Sequence, residues 1–366
     1  MLFIQILFFV LGLLLVIATL FSELKTFVLP RSAPDWLTRF VFIIIRRLFS
    51  IPLHRAKTYE SRDRIMAYYA PIGLLTLVPA WLAMVLAGYM AMFWAATANA
   101  FDLPSWLRAF RLSGSALFTL GYEPVSGFGL TLLSFSEAGM GMILVALLIA
   151  YLPTMYAAFS RRESAVSLLE VRAGSPPSAA EMILRFNRIH GLQALGEQWR
   201  AWETWFADIE ESHTSLPALV FFRSPRPDQS WVIAAGAVLD AAALTLSVLD
   251  IPYDPQCALC IRAGFLALRR ISDFFSVAYN PNPAPGDLIS IRRDEFDAVV
   301  RQLGENGVPL RLDLEQGWKD FSGWRVNYDT VLIALASLTM APRAPWSSDR
   351  VASQVVNVPI WKSKGQ

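Results

Sequence analysis

Ser113-Gly-Ser-Ala-Leu-Phe-Thr-Leu-Gly-Tyr-Glu123 lies between two long apolar runs, residues 68–97 and 130–159. Apolar helix, short amphipathic helix, Thr-x-Gly-Tyr turn and apolar helix together make a re-entrant segment. Irregular backbone at membrane depth is tolerated only where protein buries it or where it lines a water-filled path. A Thr-Leu-Gly-Tyr turn at that position therefore calls for a purpose. Carbonyl groups of Thr119, Leu120, Gly121 and Tyr122 turned inward to replace an ion's hydration shell would supply one.

Working outward, Pro104-Ser105 suits a helix start, and residues 106–118 carry an apolar side. Gly121 adopts positive φ readily, as a strand of inward carbonyls requires. Arg108 and Arg111 sit on this short helix. A charge beside such a path needs a partner, so they are expected to pair with Glu123 or Glu137, the alternative being an interfacial snorkelling pair. Glu137, one turn into the next apolar run, is an intramembrane acid and so a site candidate; the other placement is the outer headgroup layer. Gly139 and Gly141 permit bending and Pro153 removes a helical hydrogen bond, which suits an inner-helix gate; small residues serve close helix packing equally well.

Composition agrees with a membrane domain followed by a more polar one. The 366 residues are 55% hydrophobic and only 17% charged, with a net charge of +2 and a mean hydropathy of +0.42, against about 25% charged in soluble domains. So small a charge gives no reason to expect a nucleic-acid partner. Residues 1–20 are nearly uninterrupted Leu, Ile, Phe and Val, enough at about 1.5 Å per residue to span roughly 30 Å. A signal peptide is the competing reading, but the segment lacks a basic n-region and a small-x-small cleavage site.

Lys25, Arg31, Arg39, Arg46, Arg47, Arg55, Lys57, Arg62 and Arg64 follow. Lysine and arginine at this density mark the cytoplasmic side. Residues 36–53, apolar on one side and basic on the other, read as an interfacial helix, with anionic lipids as expected partners of segment 36–57. The chain is thus expected in the cell (plasma or inner) membrane as a multi-pass protein, N-terminus outside and C-terminal half cytoplasmic. Its divisions are an anchor (1–24), a basic interfacial segment (25–66), a pore domain (67–160), a linker (161–177) and a helical cytoplasmic domain (178–366). Residues 231–249 challenge the span count, but Asp240 at their centre costs about 2.5–3.5 kcal/mol on insertion. They read as a buried helix of a bundle.

Ser115-Ala-Leu-Phe-Thr-Leu-Gly-Tyr122 and the helix after it resemble the pore loop of two-helix potassium channels, and more widely the pore-loop cation channel superfamily. The family motif is Thr-Val-Gly-Tyr-Gly-Asp, and the resemblance covers about residues 68–159. It implies a homotetramer, since one pore loop per chain supplies a quarter of a filter. It also implies ion coordination at Thr119, Leu120, Gly121 and Tyr122, with Ser115 on the pore helix behind them. Glu123 stands where the family has its second glycine and Pro124 where it has aspartate. A glutamate does not readily take positive φ, so the outermost carbonyl ring is expected to give way to a ring of Glu123 carboxylates, with weakened potassium selectivity. Chance occurrence of Thr-Leu-Gly-Tyr as an ordinary outer turn is the bland alternative.

The cytoplasmic half resembles nothing recognised. Ser178 is expected to cap a helix running to about 214, whose aromatic face carries Trp199, Trp202, Trp205 and Phe206. Further helices are expected over 257–275, 293–303 and 328–340. Cys257-x-x-Cys260 has metal or redox spacing, but structural zinc needs four ligands and no second pair is present; two buried thiols fit better. His190 and His213 show no nucleophile–base pattern, and residues 324–329 (Trp-Arg-Val-Asn-Tyr-Asp) form a mixed cluster that binding or packing explains equally. The expectation is an all-α membrane protein with three transmembrane helices, a re-entrant pore helix and filter loop, and an all-α cytoplasmic domain. It would be a tetrameric cation channel regulated by its cytoplasmic helical domain, whose residues 178–340 are expected to contact neighbouring subunits and bias the gate. It would not be an enzyme, with permeant K+ or Na+ and no cofactor. A non-conducting three-span sensor or scaffold whose bundle binds a protein is the alternative. The ligand or protein partner of the cytoplasmic domain stays open.

Overall fold

The computed structural model describes residues 2–27, 35–97 and 103–350. Arg31, residues 98–102 and residues beyond 350 fall outside them. The regular structure of the described residues is helical, with no strand and one isolated antiparallel bridge, between Leu249 and Leu310. The helices are α1 (Leu2–Phe27), α2 (Trp36–Arg55), α3 (Tyr59–Ala67), α4 (Tyr69–Thr97), α5 (Leu103–Leu117) and α6 (Phe128–Ala173). They continue as α7 (Ala179–Arg188), α8 (Leu195–Ser215), α9 (Trp231–Val248), α10 (Pro255–Phe274), α11 (Arg293–Glu305), α12 (Leu314–Arg325) and α13 (Asp329–Thr339). Four segments are long and apolar enough to cross a membrane: Leu2–Phe27, Tyr59–Thr97, Phe128–Ala173 and Trp231–Val248.

The chain divides into two compact units, residues 1–50 with 69–156, and residues 51–68 with 157–366. In the first, α1 and α4 pack through small residues. A Cβ on Gly88 would come within 2.7 Å of Val16, and one on Gly12 would strike the Gly88 carbonyl. Backbones approach this closely in membrane helices only where side chains are absent. Trp81, fully buried, donates from Nε1 to Ser22 Oγ (2.9 Å), and Ser22 donates to Asp35 Oδ2 (2.7 Å). Asp35 also accepts from the amides of Leu37 and Thr38 (3.1 and 2.9 Å), capping α2.

α2 buries Leu37, Val41, Phe42 and Ile45 and exposes Trp36, Phe40, Leu48 and Ile51. It is therefore apolar on two faces, with Arg47 and Arg55 exposed between.

In the second unit α9 is the hub, packed on α7, α10, α12 and α13 with every residue buried. That settles 231–249 as core of this unit. Asp240 at its middle accepts from Arg325 NH1 and from Tyr328 OH (2.9 Å), and Arg325 also donates to Asp329 (2.7 Å) and to the Trp346 carbonyl (2.6 Å). Burial disfavours the Arg325 charge, but the carboxylates of Asp240 and Asp329 hold its pKa above the ordinary arginine value. The 324–329 cluster is thus a packed ion network.

Several expectations need correction here. Ser178 does cap a helix, its Oγ accepting from Glu181 N (3.4 Å), but the helix does not run to 214. His190 at φ 52 ends the run, and a short 3-10 turn over Leu192–Ala194 separates α7 from α8. Trp199, Trp202, Trp205 and Phe206 face this unit's own core, so they offer no surface to a neighbouring subunit. Arg162, fully buried, donates to Glu163 (2.7 Å) and to the carbonyls of Leu219 (2.7 Å) and Phe222 (2.8 Å), and lies 3.2 Å from His213 Nε2.

Candidate functional site

The amphipathic α5 positions the Thr119–Glu123 turn. Its buried side, Leu112, Ser113, Ala116 and Leu117, packs on α4, and Ser113 Oγ lies 3.1 Å from the Leu86 carbonyl. At its C-terminal end the first residue out of helical conformation is Thr119 (φ 53), followed two residues later by Gly121 (φ 68). Threonine in the left-handed region is uncommon and is held there by local bonding.

Those bonds converge on Ser115, which is buried. Its carbonyl accepts from Leu120 N (2.9 Å) and Gly121 N (3.5 Å), and its hydroxyl accepts from Glu123 N (3.2 Å). Thr119 N reaches the Ala116 carbonyl (3.0 Å). The amides of the turn thus point back into its own helix end. Among the described residues no hydrogen bond reaches the carbonyl oxygens of Thr119, Leu120, Gly121 or Tyr122. The turn thus leaves these four carbonyl oxygens without a protein partner among the described residues. Leu120 and Tyr122 are 63% and 57% exposed, and a Cβ on Gly121 would have nothing within 4 Å.

Glu137 is fully buried behind this turn, and here the expected pairing with arginine is replaced. Ser113 Oγ donates to Glu137 Oε1 at 2.5 Å, while Oε2 has no partner among the described residues. Arg108 and Arg111 are exposed and form no ion pair with Glu123 or Glu137. The reason is geometric: residues 108 and 111 fall on the outward side of α5, whereas 112, 113, 115 and 116 face inward. Ser113 was not singled out in the sequence. Its signal was modest, a serine on the apolar side of an amphipathic helix.

Gly141 packs directly on α5, where a Cβ would strike the Leu117 carbonyl. Gly139 faces open space, and α6 continues unbroken through Pro153. Gly141 therefore serves packing. Beside the turn, an open apolar groove of about 680 Å³ runs along Gly127, Phe128, Leu132 and Ser136. Tyr89 OH donates to Ser136 Oγ (3.0 Å), fixing the start of α6 against α4.

In the second unit Cys257 and Cys260 are buried free thiols, with burial raising both pKa values. Cys257 Sγ donates to the Ala242 carbonyl (3.2 Å). No group of three or more metal-ligating side chains occurs among the described residues. Compared with protein-family models, with characterised proteins and with solved structures, the chain matches none.

Proposed function

We propose that four copies of this chain assemble around one axis, and that their Thr119–Glu123 turns line a cation pathway of potassium channel-like type. Unpaired carbonyls on a turn whose amides are tied to the 115–116 helix end support the reading. Carbonyl oxygens replace the water shell of a cation, and a turn held by its own helix needs no reorganisation to do so. One chain offers only an open face, which four chains convert into a closed path.

Glu123, half-buried at the end of the turn, replaces the second glycine of the related motif and adds a ring of carboxylates at the mouth. Such a ring attracts cations and disfavours anions, while the loss of one carbonyl ring weakens discrimination between potassium and sodium. The basic residues of α2 and of the connection after it support a cytoplasmic position for that side of the membrane domain, with anionic lipid as its partner there.

The test is a bilayer recording of the purified protein under a potassium/sodium gradient, with particle symmetry measured in parallel. Fourfold particles and a cation-selective reversal potential short of the potassium equilibrium value are expected. Monomeric or dimeric particles without conductance would favour the non-conducting sensor or scaffold instead.

A further inference from the structure

The second unit contains a cavity of about 420 Å³ between the start of α8, the start of α10 and the 309–311 strand-like segment. That volume is within the range of small-molecule sites. Two fixed charges of opposite sign line it. Arg311 is held by its backbone amide on the Val248 carbonyl (2.9 Å) and by Nε on the Leu249 carbonyl (3.1 Å). Its terminal nitrogens have no hydrogen bond or ion pair among the described residues.

Asp254 caps α10, with Oδ1 accepting from Gln256 N (2.9 Å). Its other oxygen has no hydrogen bond among the described residues and lies against Gly196, where a Cβ would come within 2.5 Å of Asp254 Oδ2. The two charges line one cavity without forming an ion pair with each other. The rest of the lining is largely apolar, with the buried Trp199 indole, Leu195 and Leu246 and the exposed Tyr253 ring, beside the polar Gln193 and Thr245.

A guanidinium with free terminal donors matches a carboxylate, and a free carboxylate oxygen matches an ammonium. An apolar pocket with a few converging polar groups is how proteins orient small ligands. We propose that this cavity binds a small zwitterion, a free α-amino acid with an apolar or aromatic side chain. Its carboxylate lies at Arg311, its ammonium at Asp254 and its side chain along Trp199 and Leu195. Both charged anchors are pre-seated, so little ordering opposes binding. The site stands apart from the pore reading, because binding is measured without conduction.

The experiment is titration calorimetry of the full-length protein in detergent, with L-phenylalanine and L-leucine as probes. N-acetyl-L-phenylalanine, which lacks the ammonium, and L-phenylalaninamide, which lacks the carboxylate, serve as controls. At least one free amino acid is expected to bind, with each blocked analogue at least tenfold weaker. Arg311→Gln should erase the preference for the free carboxylate, and Asp254→Asn, which keeps the helix cap, should erase the preference for the free ammonium. Arg311→Lys should retain part of the carboxylate preference. Absence of binding by both amino acids, or equal binding of the blocked analogues to the unaltered protein, overturns the proposal. So does an unchanged preference in both Arg311→Gln and Asp254→Asn.

Discussion

Gly121→Ala separates backbone conformation from packing at the candidate filter. Gly121 has φ 68, and an added methyl would have nothing within 4 Å. The substitution therefore creates no collision, and its cost is conformational, about 1–2 kcal/mol for an L residue in the left-handed region. For a single chain that is a minor loss of stability. In a conducting tetramer all four turns must hold the same conformation, so the costs sum to about 4–8 kcal/mol, or about three to six decades in its population at 1.36 kcal/mol per tenfold. The expected result is normal expression and particle size with flux into potassium-loaded vesicles abolished. Two neighbouring glycines calibrate the result. Gly139→Ala adds a methyl in open space within a helix and should keep flux, whereas Gly141→Ala strikes the Leu117 carbonyl and should lower stability by about 1–3 kcal/mol. Flux from assembled Gly121→Ala protein equal to the unaltered protein would refute the filter assignment.

Glu123→Gln should reduce single-channel conductance at low salt, with the deficit shrinking as salt screens the mouth; a deficit independent of salt removes the carboxylate ring. His213 gives a pH signature. Burial and the neighbouring Arg162 push its pKa well below the ordinary 6.5, so the unfolded chain takes up a proton that the folded chain refuses. Stability contributed by neutral His213 is therefore present above pH 6.5 and is lost as pH falls below it, by up to about 1.4 kcal/mol per pH unit. Melting curves of the unaltered protein and His213→Gln should converge between pH 7 and pH 5, and parallel curves would contradict this. Arg325→Met leaves Asp240 and Asp329 unpaired in the core and should cost about 3–5 kcal/mol of unfolding free energy. Adding Asp240→Asn should recover part of that loss in thermal melts, and strict additivity would argue against coupling.

Much of the helical layout was legible because its signals are local. Apolar runs located α1, α4 and α6, and Asp240 marked α9 as a buried helix. Contacts between residues distant in sequence were not legible. The α7–α8 break rests on His190 in a left-handed conformation, and Gly191 beside it is a single weak breaker in an otherwise helical pattern. α12, with glycine at 317 and 323, carries a weak helical pattern, and its place is fixed by packing on α9. At the site, charge alone pairs Arg108 and Arg111 with the nearest acids. Which side of α5 each residue occupies decided otherwise, and it gave Glu137 to Ser113.

The same distinction bears on what one chain can be. Exposed Phe118, Leu120, Tyr122, Phe128 and Phe135 are compatible with lipid tails, because apolar side chains lose nothing there. The carbonyl oxygens of residues 119–122 are not, since each unsatisfied backbone group in hydrocarbon costs several kcal/mol. A membrane-embedded monomer would therefore bear that cost four times over, at a turn whose amides are already committed to the 115–116 helix end. Water or ions along a path shared with other copies would remove it. On the proposed reading, these unpaired carbonyls would be both what draws the turn to other copies and what makes the shared path favour cations.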